Sequence, residues 1–393
     1  MHLTPEEQHI LNGGEGRCLQ KAARALVDYG RAMGADCLVP VRSVHLVISG
    51  GTVVLPGLFR ILHDLAAEGH QVRVPTTLNA RPFEPGAACL SDRIAFARQA
   101  ELEKLLAVLG CQPLYSCTPY LNGNCPSQGQ LVAWAESSAV CYANSVLGAR
   151  TNPTPGLIDL CCALLGKTPR FGLLLEQNRL AGCLIEVRAK PPLDFSLLGY
   201  VVGRLAAGRI PLLVGLEATP DDLKNLGAAA EIAGGAGLLH VAGLTPEAAA
   251  LGDQVLAADY ERLTVTDHDL AAARDSLRGT GDQRPTQVVF GCPHLSLGEV
   301  EAIAPRFGGR PVKVPTWVLC CEQVRQALKD TEAERLLAAS SAQVRSLCPV
   351  FYHDAPHLLA PRMMTPSVKL ARHSAYPLYR PLDECVATAL GES

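Results

Sequence analysis

The sequence lacks the features that mark membrane, nucleic-acid-binding or secreted proteins. Its longest apolar runs, such as residues 210–216, are far shorter than the ~20 residues of a membrane-spanning helix. It has no block of like charge, and its formal net charge of -3 argues against a large phosphate-binding surface. The first residues show no basic stretch followed by an apolar one, as a signal peptide would. We therefore expect a soluble, cytoplasmic protein.

Cysteine is abundant but lacks the spacing of common metal motifs. The 393 residues include 15 cysteines and no CxxC pair, so neither a zinc ribbon nor a ferredoxin-type run is indicated. The chain length and the missing signal peptide favour reduced thiols over disulfides. Most cysteines should be small buried side chains, and the adjacent pairs Cys161-Cys162 and Cys320-Cys321 suit that role. A cluster held by widely spaced cysteines stays open.

The first hundred residues alternate between helical and extended patterns. Thr4 and Glu7 form a capping-box pattern at the start of a helical stretch, which Gly13-Gly14 divides. A strand, a helix and a second strand then follow, with predicted bounds 45–49, 57–68 and 71–75. This alternation predicts an α/β fold with polar residues at strand ends, where open sheets bind ligands.

The rest of the chain continues the α/β pattern. Residues 92–110 predict an amphipathic helix, and 131–148 predict a second, mostly buried one. Further strands are predicted at 210–214, 237–241 and 287–290. The turn-rich stretch 280–285 separates two units, and the predicted subdomains are 1–195, 196–283 and 284–393.

The densest concentration of reactive groups lies in residues 115–150. Glu136 stands in an otherwise apolar run, where an ionised carboxylate is costly unless it is paired, hydrogen-bonded or metal-linked. One interpretation is a general acid or base, or a group that binds a substrate ammonium or hydroxyl. The alternative is a structural carboxylate that pairs with Arg150 or caps the backbone.

Four cysteines have a proline one or two residues later: Cys117, Cys125, Cys292 and Cys348. Cys292 directly follows a predicted strand, and Cys348 follows a predicted helix. A nearby proline ends regular structure, so these thiols should project from loops. Three such thiolates can hold an iron–sulfur cluster and leave one iron open as a Lewis acid. The pattern alone does not choose three of the four, and structural cysteines in loops remain the alternative.

Three further candidates are weaker. Ser49, with Gly50 and Gly51, offers backbone N–H groups to an anion, and Asn79 at a strand end offers an amide. Lys369 can neutralise an acid group, although a lone lysine is usually solvated. Three histidines show no metal-ligand spacing and are expected to pack or form hydrogen bonds: His45, His294 and His353.

Six motifs resemble the large subunit, or catalytic domain, of the aconitase X family. They are LTPEEQHILNGGEG, VPTTLNA, SCTPYLNGNCPSQGQLVAWAESSAVCYANSVLGARTN, GKTPRFG, VVFGCPHLSLGE and SLCPV. The resemblance covers nearly the whole chain. It implies a hydro-lyase with an aconitase-like core of several subdomains and mostly parallel sheets, without the swivelling small domain.

The resemblance also implies roles for individual residues. Cys117, Cys292 and Cys348 would ligate an iron–sulfur centre of either the 4Fe-4S or the 2Fe-2S type, which leaves Cys125 as a loop residue. The substrate pocket would be lined by Glu136 and Ser137, as catalytic residues, and by Ser49, Asn79 and Lys369. In this superfamily a swivelling domain supplies a serine base, so a separate small subunit is expected as a partner.

Two substrates are associated with the family. Glu136-Ser137-Ser138 and residues 117–121 are similar to the branch that dehydrates phosphomevalonate. Residues 74–80 and 157–161 look more like the branch that dehydrates cis-3-hydroxy-L-proline, towards which the interpretation leans. A non-catalytic protein that responds to iron or redox state is the second alternative, although the intact Glu136-Ser137-Ser138 block favours catalysis.

Overall fold

The protein is described by a computed structural model over residues 1–48, 55–84, 93–279, 284–352, 362–374 and 378–392. Ser49 and His353 therefore lie outside the described residues. Within these ranges, three sheets of three, four and five strands are parallel throughout, and one two-stranded pair is antiparallel. The predicted α/β architecture with mostly parallel sheets is confirmed. No helix in the described ranges is both long and apolar enough to cross a bilayer.

The first unit is built on the three-stranded sheet, in the order β3-β2-β4. Its helices and strands in chain order are α1 (Pro5–Leu11), α2 (Arg17–Ala32), β1 (Leu38–Pro40), β2 (Val44–Leu46), α3 (Pro56–Ala67), β3 (Thr76–Leu78), α4 (Arg93–Val108), β4 (Ala133–Trp134), α5 (Ser137–Ser145), α6 (Gly156–Leu165) and β5 (Lys167–Pro169). The antiparallel pair is β1 with β5. The buried faces of α2, α3, α4 and α6 share one apolar core with the sheet.

Local signals placed the N-terminal helices correctly. The Thr4 hydroxyl accepts from the Glu7 amide, and the Glu7 carboxylate accepts from the Thr4 amide, which completes the capping box. The chain leaves α1 at Asn12 and passes through Gly13 with φ 90°, a backbone conformation that glycine adopts without strain. The predicted division into two helices is confirmed.

Two predictions in this unit are wrong. The stretch 71–75 is not a strand, because the pairing with β2 begins one residue later, at Thr76 opposite Val44. The single helix over 131–148 is instead β4 followed by α5. Ala133 pairs with Val44, and the Glu136 side chain accepts from the Ala139 amide as an N-cap, so the helix starts only at Ser137.

The second unit is a four-stranded sheet in the order β8-β7-β6-β9. Its elements are β6 (Ala181–Val187), α7 (Phe195–Ala206), β7 (Pro211–Val214), α8 (Pro220–Gly234), β8 (His240–Val241), α9 (Pro246–Leu251), β9 (Leu256–Val265) and α10 (Asp267–Ser276). Helices α7 and α8 pack so closely that a Cβ at Gly199 or Gly203 would meet backbone of α8. The sheet begins at Ala181; the subdomain boundary at residue 195 stays a prediction.

The third unit is a five-stranded sheet in the order β12-β11-β10-β13-β14. Its elements are β10 (Gln287–Leu295), α11 (Leu297–Phe307), β11 (Thr316–Cys320), α12 (Glu322–Ala327), α13 (Glu332–Ala339), β12 (Gln343–Arg345), β13 (Met363–Thr365), α14 (Val368–His373), β14 (Leu378–Tyr379) and α15 (Leu382–Leu390). Val368 and Ala371 of α14 pack into the core of the second unit, which joins the two.

Two cysteine placements differ from prediction. Cys292 lies within β10 rather than after it, at a point where the pairing register with β11 shifts between Phe290 and Leu295. Cys348 does not follow a helix directly, because β12 comes between α13 and the cysteine. In both cases the sequence pattern located the break in regular structure but not the element before it.

Candidate functional site

The site lies where the carboxyl ends of the first and third sheets meet. Asn79 directly follows β3, and Glu136 comes two residues after β4, so parallel pairing with β2 brings both to one edge. Lys369 lies on α14, which follows β13 of the third sheet. Asn79 and Glu136 thus come together because parallel strands of one sheet end at the same edge, and the contact of Lys369 with Glu136 brings in the third sheet.

Glu136 is buried, and both of its carboxylate oxygens accept hydrogen bonds. Lys369 Nζ donates to its Oε1 at 2.5 Å, and Ser138 Oγ and the Ala139 amide both donate to Oε2 at 2.6 Å. Lys369 Nζ also donates to Ser138 Oγ at 3.0 Å. The expected pairing of Glu136 with Arg150 is wrong, since Arg150 donates to the Leu174 carbonyl instead. The other structural expectation, that Glu136 caps the backbone, is confirmed.

This pair keeps both of its charges. Burial alone would raise the pKa of Glu136, but the Lys369 ammonium and the hydrogen bonds from Ser138 and Ala139 hold that pKa below its ordinary value. Burial would likewise lower the pKa of Lys369, yet Glu136 and the thiols of Cys292 and Cys117 raise it. Glu136 is therefore a carboxylate and Lys369 an ammonium.

Three of the four proline-flanked cysteines lie near one another. The Cys292 thiol is among the groups that raise the pKa of Cys117, and Cys348 likewise raises the pKa of Cys292. Burial is the largest cause in both cases and brings the pKa of Cys292 to about 12. Lys369 opposes the shift at Cys117 and Cys292. The fourth cysteine, Cys125, is exposed.

The backbone at Cys292 departs from regular strand geometry, where the pairing of β10 with β11 is interrupted. Gly291 has φ 98° and Cys292 has φ 143°, a region that residues with a side chain rarely adopt. The Ser367 hydroxyl donates to the Cys292 carbonyl, and the His294 amide donates to Cys117 Sγ at 3.1 Å. Such unusual backbone, over-determined by its neighbours, is typical of functional sites.

Three thiols from separate segments are the kind of donor set that iron–sulfur clusters take. Among the described residues, no three His, Cys, Asp or Glu side chains converge as ligands of one ion would. Cluster thiolates attach to different irons, so they surround a larger group instead of meeting at a point. Binding requires the thiolate form, and the Lys369 ammonium favours that form at Cys117 and Cys292.

A second set of polar groups lies beside the pair. His45 is completely buried, and its Nδ1 lies 2.8 Å from Thr77 Oγ1, which also accepts from Asn124 Nδ2 at 2.8 Å. The His45 ring and the Asn79 side chain are both buried, and the two lie within hydrogen-bonding reach of each other. Burial lowers the pKa of His45 to about 4, so the ring is neutral.

The predicted site residues are thus brought together in part. Glu136, Lys369 and Asn79 lie at the meeting sheet edges, while Ser137 is half-buried and it is Ser138 that contacts Glu136. Sequence reasoning missed Ser138 as a separate contributor and Asn124 as a partner of Thr77, whereas the expected hydrogen bonding of His45 is confirmed.

Nearly the whole chain is similar to proteins of one family. Family models match consecutive parts of the chain: the aconitase X first domain at residues 1–177, the second domain at 181–275 and the third domain at 285–391. A crystal structure of Thermococcus kodakaraensis aconitase X in its holo-form is 33% identical, with a TM-score of 0.89, and the match covers 99% of this chain and 100% of that one.

Similar curated proteins have two names. The phosphomevalonate dehydratase large subunit of Thermococcus kodakarensis is 39% identical over 84% of this chain and 83% of its own length. The same-named protein of Methanosarcina mazei is 36% identical over 88% of this chain and 85% of its length. The cis-3-hydroxy-L-proline dehydratase of Hypocrea jecorina is 36% identical over 81% of this chain but only 56% of its own length.

Fold, site and relatives together define a carbon–oxygen hydro-lyase, because both groups of relatives are dehydratases. Its aconitase-like core carries the buried Glu136–Lys369 pair. The chain belongs to the aconitase X family. The predicted enzyme class and fold class are confirmed.

Proposed function

We propose that the protein is the large subunit of an iron–sulfur dehydratase for a small β-hydroxy acid, with cis-3-hydroxy-L-proline as the first candidate. The observation that carries the proposal is the buried Glu136–Lys369 pair, whose ammonium also acts on Cys117 and Cys292. A charged pair in this position is costly to bury and does not serve a simple packing role.

Cys117, Cys292 and Cys348 would hold the cluster. With three protein ligands, the bound cluster supplies a Lewis acid that stabilises the departing hydroxyl. The chain's own contribution at this point is to present thiols from three separate segments and to place the Lys369 charge beside two of them. Cys125, which is exposed, has no part in this arrangement.

The pair also supplies a positioned proton. Dehydration breaks one C–H and one C–O bond, and the departing oxygen needs a proton to leave as water. Lys369 Nζ carries the proton in the pair and Glu136 is ionised. A lysine with a raised pKa gives up its proton only to a strong base, and the hydroxyl oxygen becomes more basic as its bond to carbon breaks. Such acid catalysis typically contributes ~100- to ~10,000-fold in rate.

The charge of the Glu136–Lys369 pair is one reason to prefer a substrate without a phosphate group. The Lys369 charge is already paired with Glu136, so the pair has little net charge to offer a phosphate. The stretches outside the described residues add no Lys or Arg. Asn79, which is buried at the end of β3, would accept from the ring amine of a hydroxyproline through its amide oxygen.

5-Phosphomevalonate is the second candidate. It is favoured by the relatives named phosphomevalonate dehydratase large subunit, two of which match more than four fifths of this chain and of their own length. Their names also support a small subunit as the partner of this chain. The family resemblance assigns to that subunit the base that removes the carbon-bound proton.

The test is anaerobic co-expression with a small subunit, followed by assays of both substrates. We expect turnover of cis-3-hydroxy-L-proline that is lost on iron chelation. The complex carrying Lys369→Met serves as the control for background turnover. Turnover of 5-phosphomevalonate alone would transfer the function to the second candidate. Silence on both, with iron bound and the complex formed, would contradict the proposal.

A further inference from the structure

His294 contacts the segments that carry all three candidate cluster cysteines. It lies two residues after Cys292, and its backbone amide donates to Cys117 Sγ at 3.1 Å. Its ring Nε2 lies 3.0 Å from the carbonyl oxygen of Leu347, the residue before Cys348. The side chain is 1% exposed, so no water competes for these contacts.

The ring contact has a defined direction. A carbonyl oxygen only accepts hydrogen bonds, so Nε2 must carry the hydrogen and donate to Leu347. The other nitrogen, Nδ1, is buried and has no hydrogen bond among the described residues. The ring therefore makes one directional bond, and that bond fixes the backbone immediately before Cys348.

A residue of the second unit also contacts the backbone of His294. Lys224 on α8, itself 2% exposed, donates from Nζ to the His294 carbonyl at 3.3 Å. Lys224 also pairs with Glu299, whose carboxylate accepts from the Ser296 amide at 2.7 Å. Asp221 lies 3.3 Å from the same Nζ. The backbone from His294 to Ser296 is thus fixed by a buried ionic network.

We infer that His294 is a positioning residue for the iron–sulfur centre, which ties the segments of Cys117, Cys292 and Cys348 together before iron arrives. This inference rests on the proposed cluster and goes beyond it by naming the residue that fixes the relative position of its ligands. The hydrogen bond from the His294 backbone amide to Cys117 Sγ adds a second effect, because hydrogen bonds to the sulfurs help set the reduction potential of a cluster. The ring itself touches no ligand and acts through the backbone at Leu347.

Two amide variants separate this role from general packing. In His294→Gln the side-chain nitrogen reaches the position of Nε2 and can still donate to Leu347, whereas in His294→Asn it reaches only the position of Nδ1. Both are uncharged and similar in polarity. The measurements are iron and acid-labile sulfide per chain after anaerobic reconstitution, the rate of iron loss to a chelator, and thermal unfolding of the metal-free protein.

We expect His294→Gln to keep wild-type iron content and His294→Asn to lose iron at least ~10-fold faster, while the two metal-free variants unfold at similar temperatures. Equal iron retention in both variants would overturn the inference. So would equal iron loss in both, because the donor to Leu347 would then be irrelevant. If the wild-type chain itself binds no iron, the proposed cluster fails instead, and that outcome is distinct.

Discussion

Lys369 Nζ lies 2.5 Å from Glu136 Oε1, although the two residues are separated by 233 positions in the chain. Their contact joins the edge of the first sheet to the helix that follows β13 of the third. Both side chains are less than one tenth exposed, so the pair is shielded from solvent. Burying two charges requires that each keep its partner, which makes this contact a constraint on the fold as well as on chemistry.

Breaking the pair should therefore affect stability and activity differently. Lys369→Met leaves the Glu136 carboxylate buried without its cation and should lower the free energy of unfolding by ~3–5 kcal/mol. The double variant Glu136→Gln with Lys369→Met removes both charges and should recover most of that loss. The turnover of both variants should stay at least ~100-fold below that of the wild type, because Lys369, the proposed proton donor, is absent from both. Denaturant unfolding and steady-state kinetics on the same preparations measure the two effects. Recovery of activity in the double variant would rule out a catalytic pair.

Serine substitution of any of the three candidate ligand cysteines should have the same effect on iron binding, and substitution of Cys125 should not. Cys117→Ser, Cys292→Ser and Cys348→Ser should each lose iron, sulfide and visible absorption, since a hydroxyl is a poor replacement for a cluster thiolate. Cys125→Ser is the matched control, because Cys125 is an exposed loop cysteine that is also followed by proline. Normal iron and turnover in all three variants would show that the ligand assignment is wrong.

His45 should make stability depend on pH. Its folded pKa is about 4 because burial disfavours the charged ring, against an ordinary value of 6.5. Below pH 6.5 the unfolded chain binds a proton that the folded chain refuses, so the free energy of unfolding should fall from there towards pH 4. One such group contributes at most ~1.4 kcal/mol per pH unit.

His45→Asn should flatten this slope, because its amide can still reach Thr77 but does not titrate. Some slope should remain, since burial also lowers the pKa of His294 to about 4. Urea unfolding at a series of pH values measures the difference. A slope identical to that of the wild type would mean that His45 is not kept neutral.

The contact between α7 and α8 should not tolerate a methyl group. A Cβ at Gly199 would lie against the carbonyl oxygen of Leu226, which is backbone and cannot move aside cheaply. Gly199→Ala should therefore destabilise the protein by ~1–3 kcal/mol or more. Gly57→Ala in α3 is the control, because a Cβ there meets nothing within 4 Å. It should be neutral or slightly stabilising. Thermal unfolding of both variants tests the contrast, and equal destabilisation would contradict it.

Local sequence signals predicted much of the fold. The capping box at Thr4 and the glycines at 13 and 14 located two helices, because these features act over three or four residues. The same reasoning failed at 131–148, where an apolar run suits a buried helix and a buried strand equally well. Pairing of Ala133 with Val44, almost ninety positions earlier, decided between them.

The candidate site divides in the same way. The sequence by itself determined the family, the α/β class and the residue types of the site, since a buried carboxylate and proline-flanked thiols stand out in any apolar chain. Only the tertiary structure decided that Glu136 pairs with Lys369 and not Arg150, and that His294 contacts all three cysteine segments. The physical reason is that periodicity reports burial and local hydrogen bonding, whereas the partner of a buried charge is chosen by which strand ends meet.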